Sequence, residues 1–122
     1  MTAATSMMLE FARILFTRYT MKEEHHLHMF YTGEGYTDTD IITVEIRRTN
    51  HKFRINRLVG LVTLHSDRLT IATYGNAHRR DNLAGKTQQL TIIYYNDPNF
   101  IERLDRFMSQ YAITKKENDD RS

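Results

Sequence analysis

A change of period constrains this chain more than any other feature. From residue 25 the apolar side chains recur at every second position. "HLHMFYTG" carries Leu27, Met29 and Tyr31 on one face and His26, His28 and Phe30 on the other. After the turn-rich "EGYTD", the run "IITVEIRR" alternates Ile42, Val44 and Ile46 with Thr43, Glu45 and Arg47. Such alternation marks half-buried strands. A one-residue slip would turn every side chain to the opposite face, so only one antiparallel register keeps the two apolar sets together. It sets Tyr31 opposite Ile42, Met29 opposite Val44 and Leu27 opposite Ile46. On the outer face it sets His28 opposite Glu45 and His26 opposite Arg47.

A turn near Thr49-Asn50 would lead into "KFRIN", pairing Ile46 with Phe53, Val44 with Ile55, Arg47 with Lys52 and Glu45 with Arg54. "RLVGLVTLH" follows, with Leu58, Val62 and Leu64 on one face and Val59 and Leu61 on the other. The chain turns at Ser66-Asp67 and returns as "RLTIATYG". The loop "NAHRRDNLAGKT" precedes "QQLTIIYYN". These later strands are apolar on both faces, as in strands covered on both sides.

Helical spacing brackets the strands. Residues 5 to about 20 predict a helix with Thr5 or Ser6 as N-cap. One stripe holds Met8, Phe11, Leu15 and Tyr19, and a second holds Leu9, Ile14 and Phe16. A helix apolar on more than one side is deeply buried or meets another chain. "NDPNF" opens the last helix, with Asp97 as N-cap and Pro98 at its first position. Its stripe is Phe100, Ile101, Leu104, Phe107, Met108 and Tyr111. The fold class is therefore α+β: an N-terminal helix, a curled antiparallel meander of about five strands and a C-terminal amphipathic helix. With one proline and no internal repeat in 122 residues, residues 1–113 read as a single domain. Residues 114–122, ending in "KKENDDRS", read as a disordered tail.

Several chemistries are excluded. The chain has no cysteine, so it has no disulfide, thiolate zinc site or cysteine nucleophile. "MTAATSMMLEFARILF" lacks a basic start and is interrupted by Glu10 and Arg13, so it reads as a helix and not as a targeting segment. No apolar run approaches a membrane span. The expectation is a cytoplasmic protein that does not engage a membrane and holds no cofactor.

"KEEHHLHMF" supplies the raw material of a metal site. His26 and His28 share a strand face, and Glu45 would join them from the neighbouring strand. Against this, Arg47 faces His26, and an open sheet face lacks the dry surround a zinc histidine needs. The cupin motif also pairs His-x-His with a glutamate, but here the spacing to Glu34, the flanking glycines and the later histidine do not fit. "HSD" at residues 65–67 is a tight turn whose neighbours cannot align as nucleophile, base and orienter. Asp38 and Asp40 close a turn-rich loop. A non-enzyme is the expectation.

The richest charge feature is "RRTNHKFRINR", five cations and no acid between Arg47 and Arg57. Arg47, Lys52, Arg54 and Arg57, with Arg79 and Arg80 from the 75–87 loop, form the candidate binding set for an acidic protein partner. Nucleic acid or an anionic nucleotide on the same face is the alternative, and a metal-dependent protein using His26 and His28 is another. Phe53 is expected to point inward. The surplus of apolar surface predicts a homo-oligomer. The order of meander then helix loosely resembles pleckstrin-homology-type modules, which bind phosphoinositides or proteins, although those use more strands and lack the first helix.

Overall fold

The computed structural model describes residues 3–33, 40–74 and 87–115. In chain order it contains α1 (Ala3–Arg18), β1 (Tyr19–Met21), β2 (His25–Thr32), β3 (Ile41–Asn50) and β4 (Ile55–Leu64). These are followed by β5 (Arg68–Tyr74), β6 (Thr87–Tyr94), α2 (Phe100–Met108) and β7 (Ala112–Thr114). Strands β2 to β6 form one antiparallel sheet in sequence order, and β1 pairs with β7 in a small second sheet. The architecture is the expected α+β. The large sheet is not strongly curled, and β2 and β6 are its edge strands among the described residues.

The first hairpin has the predicted register at every pair, from Leu27 opposite Ile46 to Tyr31 opposite Ile42. Burying Ile42, Val44 and Ile46 fixes it, and all three lie in the core. The second hairpin does not follow the predicted pairing. Val44 faces Val62 and Ile46 faces Gly60, not Ile55 and Phe53. This longer hairpin buries Val62 and Leu64, which the predicted pairing would have left without a core neighbour. The turn moves to residues 51–54, where Asn50 Oδ1 accepts the Phe53 N–H at 3.3 Å. Arg54 closes it with φ 57°. A bulge at Ile46/Arg47 then sets Leu58 opposite Arg47, which carries Leu58 away from the face of Val62 and Leu64.

Both helices lie on one face of the sheet. α1 buries Met8, Ala12, Leu15 and Tyr19 in the common core, and packs against β3 and β4. It begins at Ala3, so Thr5 and Ser6 lie inside the helix and not at its cap, and it gives way at Tyr19 to a strand the periodicity did not show. Of its second predicted stripe, Leu9 is partly buried and Phe16 is exposed. Phe11 leaves the main stripe to stack on Tyr95, centroids 4.1 Å apart, and meets Phe100 edge-on at 5.0 Å. α2 buries Phe100, Leu104, Phe107 and Met108, while Ile101 is exposed. Asp97 is not the N-cap: Asn99 holds that position, with Asp97 two residues before it and Pro98 outside the helix. Asp97 accepts the Asn99 N–H at 2.8 Å and binds Arg103 at 2.7 Å, while the helix itself starts at Phe100. Pairing also runs past the predicted domain end, because Thr114 faces Tyr19 and the Lys115 N–H donates to Arg18 O at 2.8 Å. Residues 116–122 of the predicted tail lie outside the described residues.

One polar cluster locks the two helices together. Arg18 donates from Nε and Nη2 to the two oxygens of Asp105 at 2.8 and 2.7 Å, and the Tyr19 hydroxyl donates to Oδ1 at 2.5 Å. Arg18 first, then Tyr19, hold the Asp105 carboxyl below the ordinary carboxylate range. A carboxylate depressed in the folded state adds stability above its unfolded pKa and loses it as pH falls through the folded value. Asp105→Asn should therefore cost about 2 kcal/mol at neutral pH, the scale of hydrogen bonds to a charged group. The gap between variant and wild type should close as denaturant midpoints are followed well below pH of about 4. A gap that stays constant with pH would contradict this account.

Candidate anion-binding interface

The end of the sheet at the β3–β4 hairpin gathers the cations predicted from sequence, but not on one face. Arg47 is on the outer face opposite His26, as predicted, and is not available to a partner. Its Nε binds Glu45 Oε1 at 2.8 Å and its Nη1 donates to Asn56 O at 3.2 Å. Lys52 and Arg54 lie in the 51–54 turn at the tip, not opposite Arg47 and Glu45. Arg57 faces Arg48 directly across the strands, and Arg48 faces His25 on its other side. The row His25–Arg48–Arg57 continues the helix-bearing face past the last buried row, Ile46–Gly60. There Tyr111 sits over Gly60, close enough that an added Cβ would stand 2.9 Å from its ring and hydroxyl.

Two arginines directly opposed on adjacent strands repel each other. Neither they nor Lys52 nor Arg54 makes an ion pair among the described residues. The Arg57 Nε is buried and has no hydrogen-bond acceptor. At the tip, Phe53 is 63% exposed, against the expectation that it points inward, and Lys52 Nζ lies 5.5 Å from its ring. His51 and Ile55 are exposed beside it. The candidate site is therefore the Arg48–Arg57 row together with the tip beyond it, where Lys52 and Arg54 flank the exposed Phe53 in the turn. Sequence reasoning passed over Arg48. Its parity with Ile42, Val44 and Ile46 signalled the face it occupies, but its partner Arg57 depends on the bulge. Arg79 and Arg80 lie outside the described residues.

His26, His28 and Glu45 occupy the outer face in the predicted register, yet Glu45 is held by Arg47, and the His28 ring lies 4.5 Å from that of Phe30. Among the described residues no group of three or more histidine or carboxylate side chains is placed to hold a metal ion. The 65–67 turn is built as predicted, with the His65 N–H donating to Arg68 O at 2.8 Å. Burial, then the Arg68 charge, lowers the His65 pKa. Asp67 bonds Arg68 and not His65. Asp40, predicted to close a loop, is buried and accepts from the Tyr31 hydroxyl at 2.9 Å. A cavity of about 260 Å³ lies between α2 and strands β5 and β6, lined by Ile71, Ile93, Phe107, Arg103, Arg106 and Gln110 with two threonines. Its lining holds no histidine or carboxylate, and its arginines face Asp97 and Glu102.

No helix among the described residues is long and apolar enough to cross a membrane. No protein-family model, curated protein or solved structure matches the chain. If the outer-face histidines are only solvated side chains, replacing both His26 and His28 with alanine should shift stability by no more than about 0.5 kcal/mol. Added zinc should leave the melting temperature of either protein unchanged. A zinc-dependent rise in wild type that the double variant lacks would restore the metal reading.

Proposed function

We propose that this protein is a non-catalytic binding module that engages an acidic segment of another protein through the β3–β4 hairpin end. The observation that carries this is the facing pair Arg48 and Arg57, neither in an ion pair among the described residues and with one buried guanidinium nitrogen unpartnered. A pair that repels itself in the free protein is stabilised when a carboxylate bridges it, and guanidinium forks bind carboxylates in a bidentate manner. Arg54 adds to the case. Its left-handed φ of 57° would suit glycine or asparagine better, so an arginine there sits at a cost of about 1 kcal/mol. A strained cation at an exposed tip is consistent with selection for contact and not for stability.

A second reading has its own observation. Phe53 stands exposed between Lys52 and Arg54, an arrangement suited to stacking on a base while the cations follow a phosphate backbone. The two readings part on Phe53: an acidic peptide uses the arginines, whereas single-stranded nucleic acid also needs the ring.

Arg48→Glu tests the proposal with opposite signs for stability and binding. It converts the repelling pair into an attracting one, so stability should rise by roughly 0.2–1 kcal/mol. Binding of a fluorescent glutamate-rich peptide, followed by anisotropy, should weaken about tenfold or more. Unchanged binding would exclude this surface. A Phe53→Ala variant should leave peptide binding nearly intact. If instead that variant abolishes tighter binding of a single-stranded oligonucleotide, the second reading replaces the first.

A further inference from the structure

The cavity beside α2 carries the next inference, which goes beyond the hairpin-end reading and does not depend on it. On the helix-bearing face Leu69 pairs with Ile93, and the next row pairs Ile71 with Thr91. A core-facing row is ordinarily apolar throughout. Here β6 turns from the buried Ile93 to the shorter, polar and half-buried Thr91. Thr91 fills less of the gap beneath α2 than a leucine would, and the space left is part of the cavity. Its base is apolar and buried, at Ile71, Ile93 and Phe107.

The opposite wall carries the charge. Arg103, Arg106 and Phe107 are spaced to share one side of α2, and all three line the cavity. Arg103 is held in place, since its Nη1 donates to Asp97 Oδ2 at 2.7 Å. Arg106 is free to turn. Its contact with Glu102 is 3.5 Å long, between side chains 73% and 68% exposed, and such a surface pair is worth little. Neither acid lines the cavity, so its charged lining among the described residues is entirely positive. Thr73 and Thr91 add hydroxyls, and Gln110 is fixed beside them by its amide N–H on Phe107 O at 3.0 Å.

We infer that this cavity binds a small amphipathic carboxylate, its apolar body on Ile71, Ile93 and Phe107 and its carboxylate between Arg103 and Arg106. Guanidinium groups match a carboxylate in geometry as well as charge. A bare inorganic anion would leave the apolar base unused. A monoanion fits better than a dianion, because Asp97 already offsets one of the two cations. At about 260 Å³ the cavity falls just below the roughly 300–1,000 Å³ of sites for drug-sized ligands, so the ligand is small.

Isoleucine-methyl NMR on the full chain tests this, with hydrocinnamate as the probe. The Ile71 and Ile93 methyl signals should shift and saturate. Hydrocinnamyl alcohol, which keeps the body and lacks the charge, should bind about tenfold more weakly or worse. Acetate and inorganic phosphate, which lack the body, should leave both methyls in place. Arg106→Gln, at an exposed side chain, should weaken hydrocinnamate binding about tenfold with an unchanged melting temperature. Thr91→Leu, which fills the cavity from β6, should abolish binding without loss of stability. Arg48→Glu should bind the probe as wild type does, which keeps failure of this site separate from failure of the hairpin end. Absent or unsaturable shifts would overturn the inference, as would an alcohol or phosphate that binds as well as the acid. Unchanged binding in Arg106→Gln or Thr91→Leu would overturn it too.

Discussion

The contact on which the rest of the structure depends is the one between Asp105 and the Arg18–Tyr19 pair. Here α1 ends and the chain turns into β1, and β1 in turn is held by β7 just after α2. One carboxylate thus gathers three segments that lie far apart in sequence: the end of the first helix, the middle of the last, and the short sheet closing both termini. Its value is geometric as much as energetic. A two-point guanidinium contact fixes orientation as well as distance, and so it aligns both helices over the same side of the meander. Partial exposure of both partners keeps the ion pair itself modest. The apolar surface it aligns contributes most of the stability.

Placing both helices on one side has a consequence on the other. The inner face becomes a continuous core running from Leu27 through Ile46, Val62 and Leu69 to Ile93, sealed by Met8, Leu15, Leu104 and Met108. The outer face is left with the side chains that alternation assigns to it, and from β4 onward these are mainly threonine, leucine, alanine and isoleucine, with Arg68 and Tyr94 at one end. At the hairpin end neither face is covered, because the helices stop at the row where Tyr111 rests on Gly60. Beyond that row the chain places cations, half-buried at Arg57 and exposed at Arg48, Lys52 and Arg54.

What was legible in the sequence followed from local periodicity. Leu27, Met29 and Tyr31 against Ile42, Val44 and Ile46 admit one register, and the structure has it. The amphipathic spacing from Phe100 to Tyr111 likewise named the buried face of α2, apart from Ile101. What stayed hidden depended on non-local competition. "KFRIN" alternates well enough to pair with β3, but the longer hairpin buries Val62 and Leu64, and the hydrophobic gain from those two side chains outweighs the shorter turn. That choice moved Lys52 and Arg54 to the tip and turned Phe53 outward. With the bulge, it also created the Arg48–Arg57 pair. The capture of Glu45 by Arg47 was equally invisible, because two residues on one strand face at i and i+2 can join each other or their cross-strand neighbours. Strands β1 and β7, three residues each, are too short to leave a periodic signature and pair because the segments that follow α1 and α2 run side by side.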